Sequence, residues 1–210
     1  MGWWSRHRRV VVGGVVVCGA LMAPWHAQAQ HALEGEKRFS KEVEGVLQRK
    51  IDRLRELTED PVILQAVRDS NATHADIPLA DLLAVDRQWM ARDEAVEPLV
   101  KSLLTNACAN RLVVFQNAYD GYAEIFIADA RGANVCLTNR TSGYYQADKD
   151  WWVQGYNDGH GKTFYGKIEH DDSAMVESIP VFLPIMDPTS QRAVGVMKVV
   201  VDITAIKREL

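Results

Sequence analysis

The sequence has few of the residues and spacings that mark metal centres and catalytic sites. Only three of its 210 residues are cysteine, and no two of them have the close spacing of a zinc-binding pair. No two histidines stand four residues apart, as they would on a metal-binding helix, and Ser142 and Ser173 lack the flanking glycines that expose a catalytic serine. Internal repeats are also absent. The sequence therefore predicts neither an enzyme nor a protein with a metal or another cofactor.

Long hydrophobic runs are absent except near the N-terminus. Arg6, Arg8 and Arg9 precede an apolar run over residues 10–25, and residues 27–29 supply a small-x-small cleavage site. This is the pattern of a secretory signal peptide, and the run is short for a membrane span of about 20 residues. We expect a signal peptide at residues 1–29 and a periplasmic chain over residues 30–210. An uncleaved anchor in the inner membrane is the alternative.

An excess of positive charge is also lacking. Cleavage would remove three of the 24 Lys and Arg residues and none of the 28 Asp and Glu residues, so the formal net charge would change from −4 to −7. An acidic surface argues against nucleic acid or an anionic membrane as a partner. The remaining length fits one domain. Its two cysteines, Cys108 and Cys136, are either a disulfide or two small buried hydrophobic residues.

The first half of the mature chain, residues 31–119, has the periodicity of helices. Apolar residues recur at every third or fourth position over residues 31–59, which predicts one helix of about 28 residues. Asp60 and Pro61 are typical of the cap and the first position of a second helix. Further helical segments are predicted at residues 62–69, 78–91 and 98–119, the last of them broken near Asn106.

The second half, residues 120–204, changes to the period of β-strands. Alternation over residues 122–128 predicts a strand that is buried on at least one face. A tight turn at Gly132 then returns the chain into a second strand at residues 134–138. Helices followed by an antiparallel sheet make an α+β fold with one shared core. Three more strands are predicted at residues 163–169, 175–185 and 193–203.

An unusual number of aromatic residues falls in the polar loop that follows the first two predicted strands. They are Tyr144, Tyr145, Trp151, Trp152 and Tyr156. Binding residues concentrate in loops held by a rigid scaffold, and this loop has no nucleophile or set of metal ligands. We therefore interpret it as part of a small-molecule pocket. The alternative is that the two tryptophans cover the edge of the sheet.

A catalytic interpretation depends on the polar cluster between residues 160 and 172. It contains His160, Glu169, His170, Asp171 and Asp172, which together suggest a metal site or an acid–base pair. Glu169 and His170 are neighbours in a predicted strand, so their side chains point to opposite faces. A hydrolase is therefore the weaker alternative, and no catalytic residue or metal ligand is assigned.

The order of these motifs resembles the Cache (PDC) sensory domains, which are extracytoplasmic PAS-like domains of bacterial chemoreceptors and sensor kinases. The resemblance covers residues 34–203 and rests on EIFIADARGANV, the tyrosine and paired-tryptophan loop, YGKIEHDD, IPVF and GVMKVVVDI. It implies one domain in which a long N-terminal helix and helical segments pack on a five-stranded antiparallel PAS-like sheet. It also implies a ligand held between the sheet and the loops after the first hairpin.

Many Cache domains that bind amino acids carry a tyrosine, an arginine five residues later, an aromatic pair and a late aspartate. Tyr144, Trp151, Trp152 and Asp171 match this pattern, and Lys149 stands at the arginine position, where it lacks the bidentate fork of arginine. The resemblance implies that Lys149 holds an anionic group and Asp171 a cationic group of the ligand. The predicted ligand-binding residues are Tyr144, Lys149, Trp151, Trp152, Tyr165 and Asp171.

The sequence therefore predicts a periplasmic sensor domain that binds an amino acid, an amine or a similar small metabolite. Because the sequence ends shortly after the last predicted strand, we expect the ligand state to be presented to a membrane-bound sensor kinase or chemoreceptor. The competing interpretation is a structural or assembly protein that forms a homodimer through the N-terminal helix.

Overall fold

The computed structural model describes residues 39–210; the predicted signal peptide and the start of the predicted first helix lie outside them. Within this part of the chain the helices come mainly before the strands. The helices are α1 Lys41–Thr58, α2 Pro61–His74, α3 Leu79–Met90, α4 Glu97–Thr105, α5 Ala107–Ala118, α6 Asp150–Tyr156 and α7 Ile203–Arg208, and short 3-10 turns cover Glu94–Val96 and Asn157–Gly159. The strands are β1 Tyr122–Asp129, β2 Asn134–Leu137, β3 Phe164–Tyr165, β4 Glu169–Asp171, β5 Val176–Met186 and β6 Ala193–Asp202.

The strands form one antiparallel sheet in the order β2-β1-β6-β5-β3, and β4 is also paired with β5. This confirms the predicted α+β fold with an antiparallel PAS-like sheet. The third predicted strand is divided into β3 and β4, so the sheet has six strands where five were predicted. The division lies where Gly166 donates a hydrogen bond to the carbonyl oxygen of Pro180 at 2.8 Å. Pro180 has no N–H to return that bond, so the ladder is interrupted there.

Helix α1 begins at Lys41, later than the predicted start near residue 31. Ser40 has an extended backbone and its side chain accepts a hydrogen bond from the N–H of Val43 at 3.4 Å, so it caps a helix of 18 residues. Apolar periodicity continues across this cap, which is why the pattern alone predicted a longer helix. The apolar stripe of α1 packs on the sheet through Val46, Leu47, Ile51 and Leu54.

The two faces of the sheet have different coverings. Helices α1, α2 and α5 cover one face, and the strand residues of that core are almost completely buried, among them Ile125, Val181 and Val199. The other face carries α6 and the segment between β2 and α6, with α3 and α4 beside it. This second face is where the predicted ligand-binding loop lies.

The cap at the start of α2 agrees with its prediction and can be tested. Asp60 accepts hydrogen bonds from the N–H groups of Val62 (2.8 Å) and Ile63 (3.4 Å), and Pro61 occupies the first helical position. We expect Asp60→Ala to lower the free energy of unfolding by about 1 kcal/mol, because two helix N–H groups lose their acceptor. Urea denaturation measures the change. Asp52→Ala, which removes an exposed carboxylate from the middle of α1, should change the same quantity by less than about 0.5 kcal/mol; equal losses would contradict the capping role.

Two cysteines, Cys108 and Cys136, form a disulfide. Cys108 of α5 and Cys136 of β2 have Cα atoms 5.8 Å apart, within the usual range for a bridge. Of the two alternatives that the sequence left open, a disulfide or two small buried hydrophobic residues, the structure has the disulfide. The bridge fixes α5 to β2, the first strand in the order of the sheet.

In the part of the chain that the structure describes, no helix combines the length and the apolar character needed to cross a membrane.

Candidate functional site

A row of side chains crosses the sheet on the face opposite α1. Phe126 of β1 is paired with Lys198 of β6, and Lys198 is paired with Phe182 of β5, so the three side chains lie on one face. Trp151, in the first turn of α6, covers this row: its ring stacks on Phe182 at 5.3 Å and meets Phe126 edge to face at 5.8 Å. The result is an apolar floor and wall with one ammonium group between the two phenylalanines.

A cavity of about 340 Å³ opens beside this row. This volume lies near the lower end of the range typical of small-molecule pockets, about 300–1,000 Å³. Its apolar surface comes from Phe126 and Trp151. Its uncharged polar surface comes from Thr141, Ser142, Gln146 and Ser173, with His170 at the β4 side.

The charged groups of the cavity are mostly carboxylates. Four carboxyl groups face two ammonium groups, which gives the cavity an excess of negative charge when all are ionised. Complementarity of charge then favours a ligand that carries a positive group. The six residues are Glu124, Lys149, Glu169, Asp171, Asp172 and Lys198.

Glu124 is the most deeply buried of these charged residues. It is 1% exposed, and its Oε2 atom has no hydrogen-bond partner. Burial raises the pKa of Glu124 to about 7, against the opposing effects of Ser173 and Lys198. A buried polar atom without a partner costs free energy, so this oxygen is an open position for a hydrogen bond.

Asp171, at the end of β4, is held by an ammonium group and by its own turn. Nζ of Lys198 lies 3.3 Å from Oδ2, and Oδ1 accepts hydrogen bonds from Oγ of Ser173 (2.7 Å) and the N–H of Ala174 (3.0 Å). Burial acts to raise the pKa of Asp171, but these partners outweigh it and hold the pKa below its ordinary value. Asp171 is therefore an ionised carboxylate beside the cavity.

Lys149 lies at the rim of the cavity and already has a partner. Its side chain is about half exposed, and Nζ is 2.8 Å from Oδ2 of Asp148. An exposed pair of this kind contributes little and exchanges easily. Lys149 is therefore available to an anionic ligand group at the mouth of the cavity.

The two neighbouring tryptophans have different surroundings because successive positions of α6 point in different directions. Trp151 lines the cavity. Trp152 is buried against Ala128 and Val196, and its Nε1 donates a hydrogen bond to the carbonyl oxygen of Asp129 at 3.3 Å. Trp152 thus packs on the sheet outside the cavity, as the alternative interpretation of the loop expected for the pair.

Tyr144 is buried in the segment between β2 and α6. Its hydroxyl belongs to a hydrogen-bond network that is separate from the cavity. Its hydroxyl lies 3.2 Å from Nε2 of His74, and Nδ1 of His74 lies 2.6 Å from Oδ2 of Asp129. The ring packs against Trp89 with centroids 5.8 Å apart. These contacts place Tyr144 between α2, α3 and the β1–β2 hairpin and away from the cavity lining.

Tyr165 lies on the other face of the sheet. Its neighbour Phe164 stacks on Phe182 of the cavity row, with centroids 4.6 Å apart, and adjacent strand residues point to opposite faces. Tyr165 accordingly packs near Phe39, and its hydroxyl donates to Oε1 of Glu44 on α1 at 3.5 Å. Of the six predicted residues, the cavity brings together Lys149, Trp151 and Asp171, and its lining does not include Tyr144, Trp152 or Tyr165.

Glu124 and Lys198 are two charged residues of the cavity that no sequence motif had indicated. Each is the single charged residue within an otherwise apolar stretch, EIFIA for Glu124 and VMKVVV for Lys198. Charged residues are almost never fully buried unless they have a partner or a function, so a lone charge inside a predicted buried strand was a usable signal.

Apart from the buried Asp171, the residues of the polar cluster considered for hydrolysis lie at exposed positions. His170 lies 3.4 Å from Glu177 and 3.9 Å from Asp172, and the three side chains are 47%, 60% and 98% exposed. His160 is exposed beyond α6. Solvated pairs of this kind are ordinary surface contacts. Over residues 39–210, no group of three or more His, Cys, Asp and Glu side chains is arranged to hold a metal ion.

No model of a known protein family matches the chain, and no curated protein matches it. Solved structures of similar fold include the sensor domain of Escherichia coli DcuS, with a TM-score of 0.42 and 12% identity over 81% of this chain and 98% of that chain. The sensor domain of the Vibrio cholerae histidine kinase DctB has a TM-score of 0.42 and 13% identity over 80% of this chain and 54% of that chain. The ligand-binding domain of the Campylobacter jejuni chemoreceptor Tlp3, in complex with 4-methylisoleucine, has a TM-score of 0.38 and 15% identity over 81% of this chain and 64% of that chain.

These neighbours are two sensor domains and a chemoreceptor ligand-binding domain. The chain spans less than two thirds of the length of the second and third of them. The similarity assigns no ligand to this chain.

Proposed function

We propose that the protein is a periplasmic sensor domain that binds a small metabolite in the cavity beside Trp151. The ligand class is an amino acid, an amine or a similar small metabolite, and the ligand state is presented to a membrane-bound sensor kinase or chemoreceptor. The observation that carries the proposal is the cavity itself, which combines an aromatic wall with two buried carboxyl groups, Glu124 and Asp171, and the partly exposed ammonium group of Lys198. Pockets of this size with a few placed polar groups are the usual form of small-molecule sites.

The location is supported by two independent features. The N-terminal sequence has the pattern of a secretory signal, and Cys108 and Cys136 are paired. Disulfides persist in oxidising compartments such as the bacterial periplasm. Both features favour a protein that works outside the cytoplasm.

The alternative of a structural protein that dimerises through the N-terminal helix has less support. The buried apolar residues of α1 pack against their own sheet, whereas a helical dimer seam needs an outward apolar stripe. The exposed positions of α1 are mainly charged and include Lys41, Glu42, Arg49, Arg53 and Glu56.

A thermal-shift screen of amino acids, amines, organic acids and purines tests the proposed function. A ligand that binds only the folded state adds about 2.7 kcal/mol of stability at a hundredfold excess over Kd, so at least one class should raise the Tm. Trp151→Ala should abolish that increase. Val153→Ala, which shortens an exposed side chain of the same helix, should leave it unchanged. No shift with any class, or an undiminished shift in Trp151→Ala, would contradict the proposal.

Lys149 gives a smaller prediction about the anionic end of the ligand. If it contacts a carboxylate, Lys149→Ala should weaken the binding of L-phenylalanine by about two- to fivefold, the size expected for a half-exposed ion pair. Lys149→Glu should weaken it further, and both variants should bind the decarboxylated analogue 2-phenylethylamine as the wild type does. Calorimetric titration gives the four affinities. If both variants bind both compounds as the wild type does, Lys149 is only a solvated surface residue.

A further inference from the structure

We propose that Glu124 selects the ligand: its unpaired carboxyl oxygen accepts a hydrogen bond from a ligand ammonium group. This inference rests on the proposed function and narrows the ligand class to protonated amines, with or without a carboxylate. It also makes the domain responsive to pH as well as to the amine.

The position of Glu124 makes its oxygen available to a ligand. Glu124 precedes Phe126 by two residues in β1, so both side chains lie on the cavity face of the sheet. Its Oε2 atom is buried and has no partner. Asp171, by comparison, already accepts hydrogen bonds from its own turn and pairs with Lys198. The open hydrogen-bonding position of the cavity is therefore on Glu124.

The charges around Glu124 leave a place for a cation. Lys198 of β6 is paired with Asp171 and Lys149 is paired with Asp148, and among the described residues no ion pair involves Glu124. An incoming carboxylate would therefore meet an excess of like charge, whereas an incoming ammonium group would be attracted. The other charged or titratable groups that line the cavity are Lys149 from the loop before α6, Glu169, His170 and Asp171 from β4, Asp172 from the following turn, and Lys198.

Burial and ligand binding act on Glu124 in opposite directions. Burial favours the neutral acid and raises the pKa of Glu124 to about 7, whereas an ammonium group at hydrogen-bond distance favours the carboxylate. Binding therefore sends one proton from Glu124 to the solvent at any pH where the free protein holds it. For an amine that stays protonated, affinity should rise between pH 5 and pH 8 by on the order of tenfold to a hundredfold.

Three compounds distinguish the contribution of a ligand ammonium group to binding from that of a carboxylate: 2-phenylethylamine, L-phenylalanine and 3-phenylpropionate. All carry a ring that can stack on Trp151, and they differ only in having an ammonium group, both groups or a carboxylate. Calorimetric titration of the wild-type protein should show binding of the first two, and binding of 3-phenylpropionate at least tenfold weaker. Titration of 2-phenylethylamine at pH 6 in two buffers of different ionisation enthalpy should show close to one proton released.

Glu124→Gln keeps the shape of the side chain and removes its charge. This variant should bind 2-phenylethylamine at least tenfold more weakly and should lose the pH dependence and the proton release. Glu56→Gln, an exposed change on α1, should behave as the wild type. The inference is overturned if 3-phenylpropionate binds as tightly as the amine, if no proton is released, if Glu124→Gln retains the pH dependence, or if none of the three compounds binds. The proposed function stands after any of these results provided that the broader thermal-shift screen finds a ligand whose effect requires Trp151.

Discussion

Asp129→Ala is expected to lower the free energy of unfolding by about 3–5 kcal/mol. Asp129 is completely buried at the end of β1. Its Oδ2 atom accepts a hydrogen bond from Oγ of Ser70 (2.8 Å) and lies 2.6 Å from Nδ1 of His74, and its Oδ1 atom accepts from the N–H groups of Arg131 (2.8 Å) and Ala133 (3.0 Å). The substitution removes the acceptor of all four groups, and with it the links from Ser70 and His74 of α2 to the β1–β2 hairpin. A loss of this size is a large part of the total stability of a typical domain, about 5–15 kcal/mol.

Urea denaturation of Asp129→Ala and Asp69→Ala tests this expectation. Asp69 is an exposed residue of α2 whose carboxylate accepts one hydrogen bond, from Gln65 at 2.8 Å. Its replacement should change the free energy of unfolding by less than about 0.5 kcal/mol. If the two variants lost the same amount of stability, the network around Asp129 would not hold the hairpin to α2.

The second large effect is a loss of stability with rising pH that comes from Glu124. Burial raises its pKa to about 7 in the folded protein, whereas a glutamate in an unfolded chain has a pKa of about 4.3. The folded state therefore holds this proton more tightly. The resulting stabilisation is complete below about pH 4 and is lost as the pH rises through about 7. At its full size this contribution is about 4 kcal/mol.

The free energy of unfolding of the wild type, Glu124→Gln and Glu56→Gln, measured at pH 5 and pH 8, isolates this contribution. The wild type and Glu56→Gln should lose stability relative to Glu124→Gln between these two pH values, because glutamine cannot titrate. Parallel pH dependence in all three proteins would show that Glu124 is ionised throughout the range.

Local signals in the sequence predicted much of the fold. The change of period near residue 120 marks the change from helices to strands, and Asn106 caps α5 at the predicted break. Gly132 has the positive φ expected of the hairpin turn, +83°, and a Cβ atom there would lie 2.5 Å from the backbone nitrogen of Ala147. Each of these features depends on a few neighbouring residues, so the sequence alone could specify it.

The candidate site was less predictable because it depends on which strands lie side by side. The pairing of Phe126 with Lys198 joins β1 and β6, which are distant in sequence, and no local pattern sets that register. Tyr165 lies on the α1 face because its neighbour Phe164 is paired with Phe182 of the cavity row, and a shift of one residue reverses the face of every side chain. The motif match likewise assigned both Trp151 and Trp152 to the ligand site, although successive positions of α6 point their side chains in different directions.

The most direct test of the central claim, that a small metabolite occupies the cavity beside Trp151, is an NMR titration of the ¹⁵N-labelled protein. The indole N–H signals of Trp151 and Trp152 are followed while the strongest ligand from the thermal-shift screen is added, with the Trp151 signal identified through Trp151→Phe. We predict that the Trp151 signal moves and saturates with the ligand, while the signal of Trp152, whose N–H is bonded to the carbonyl oxygen of Asp129, stays in place. A ligand that binds and leaves the Trp151 signal unmoved would contradict the account.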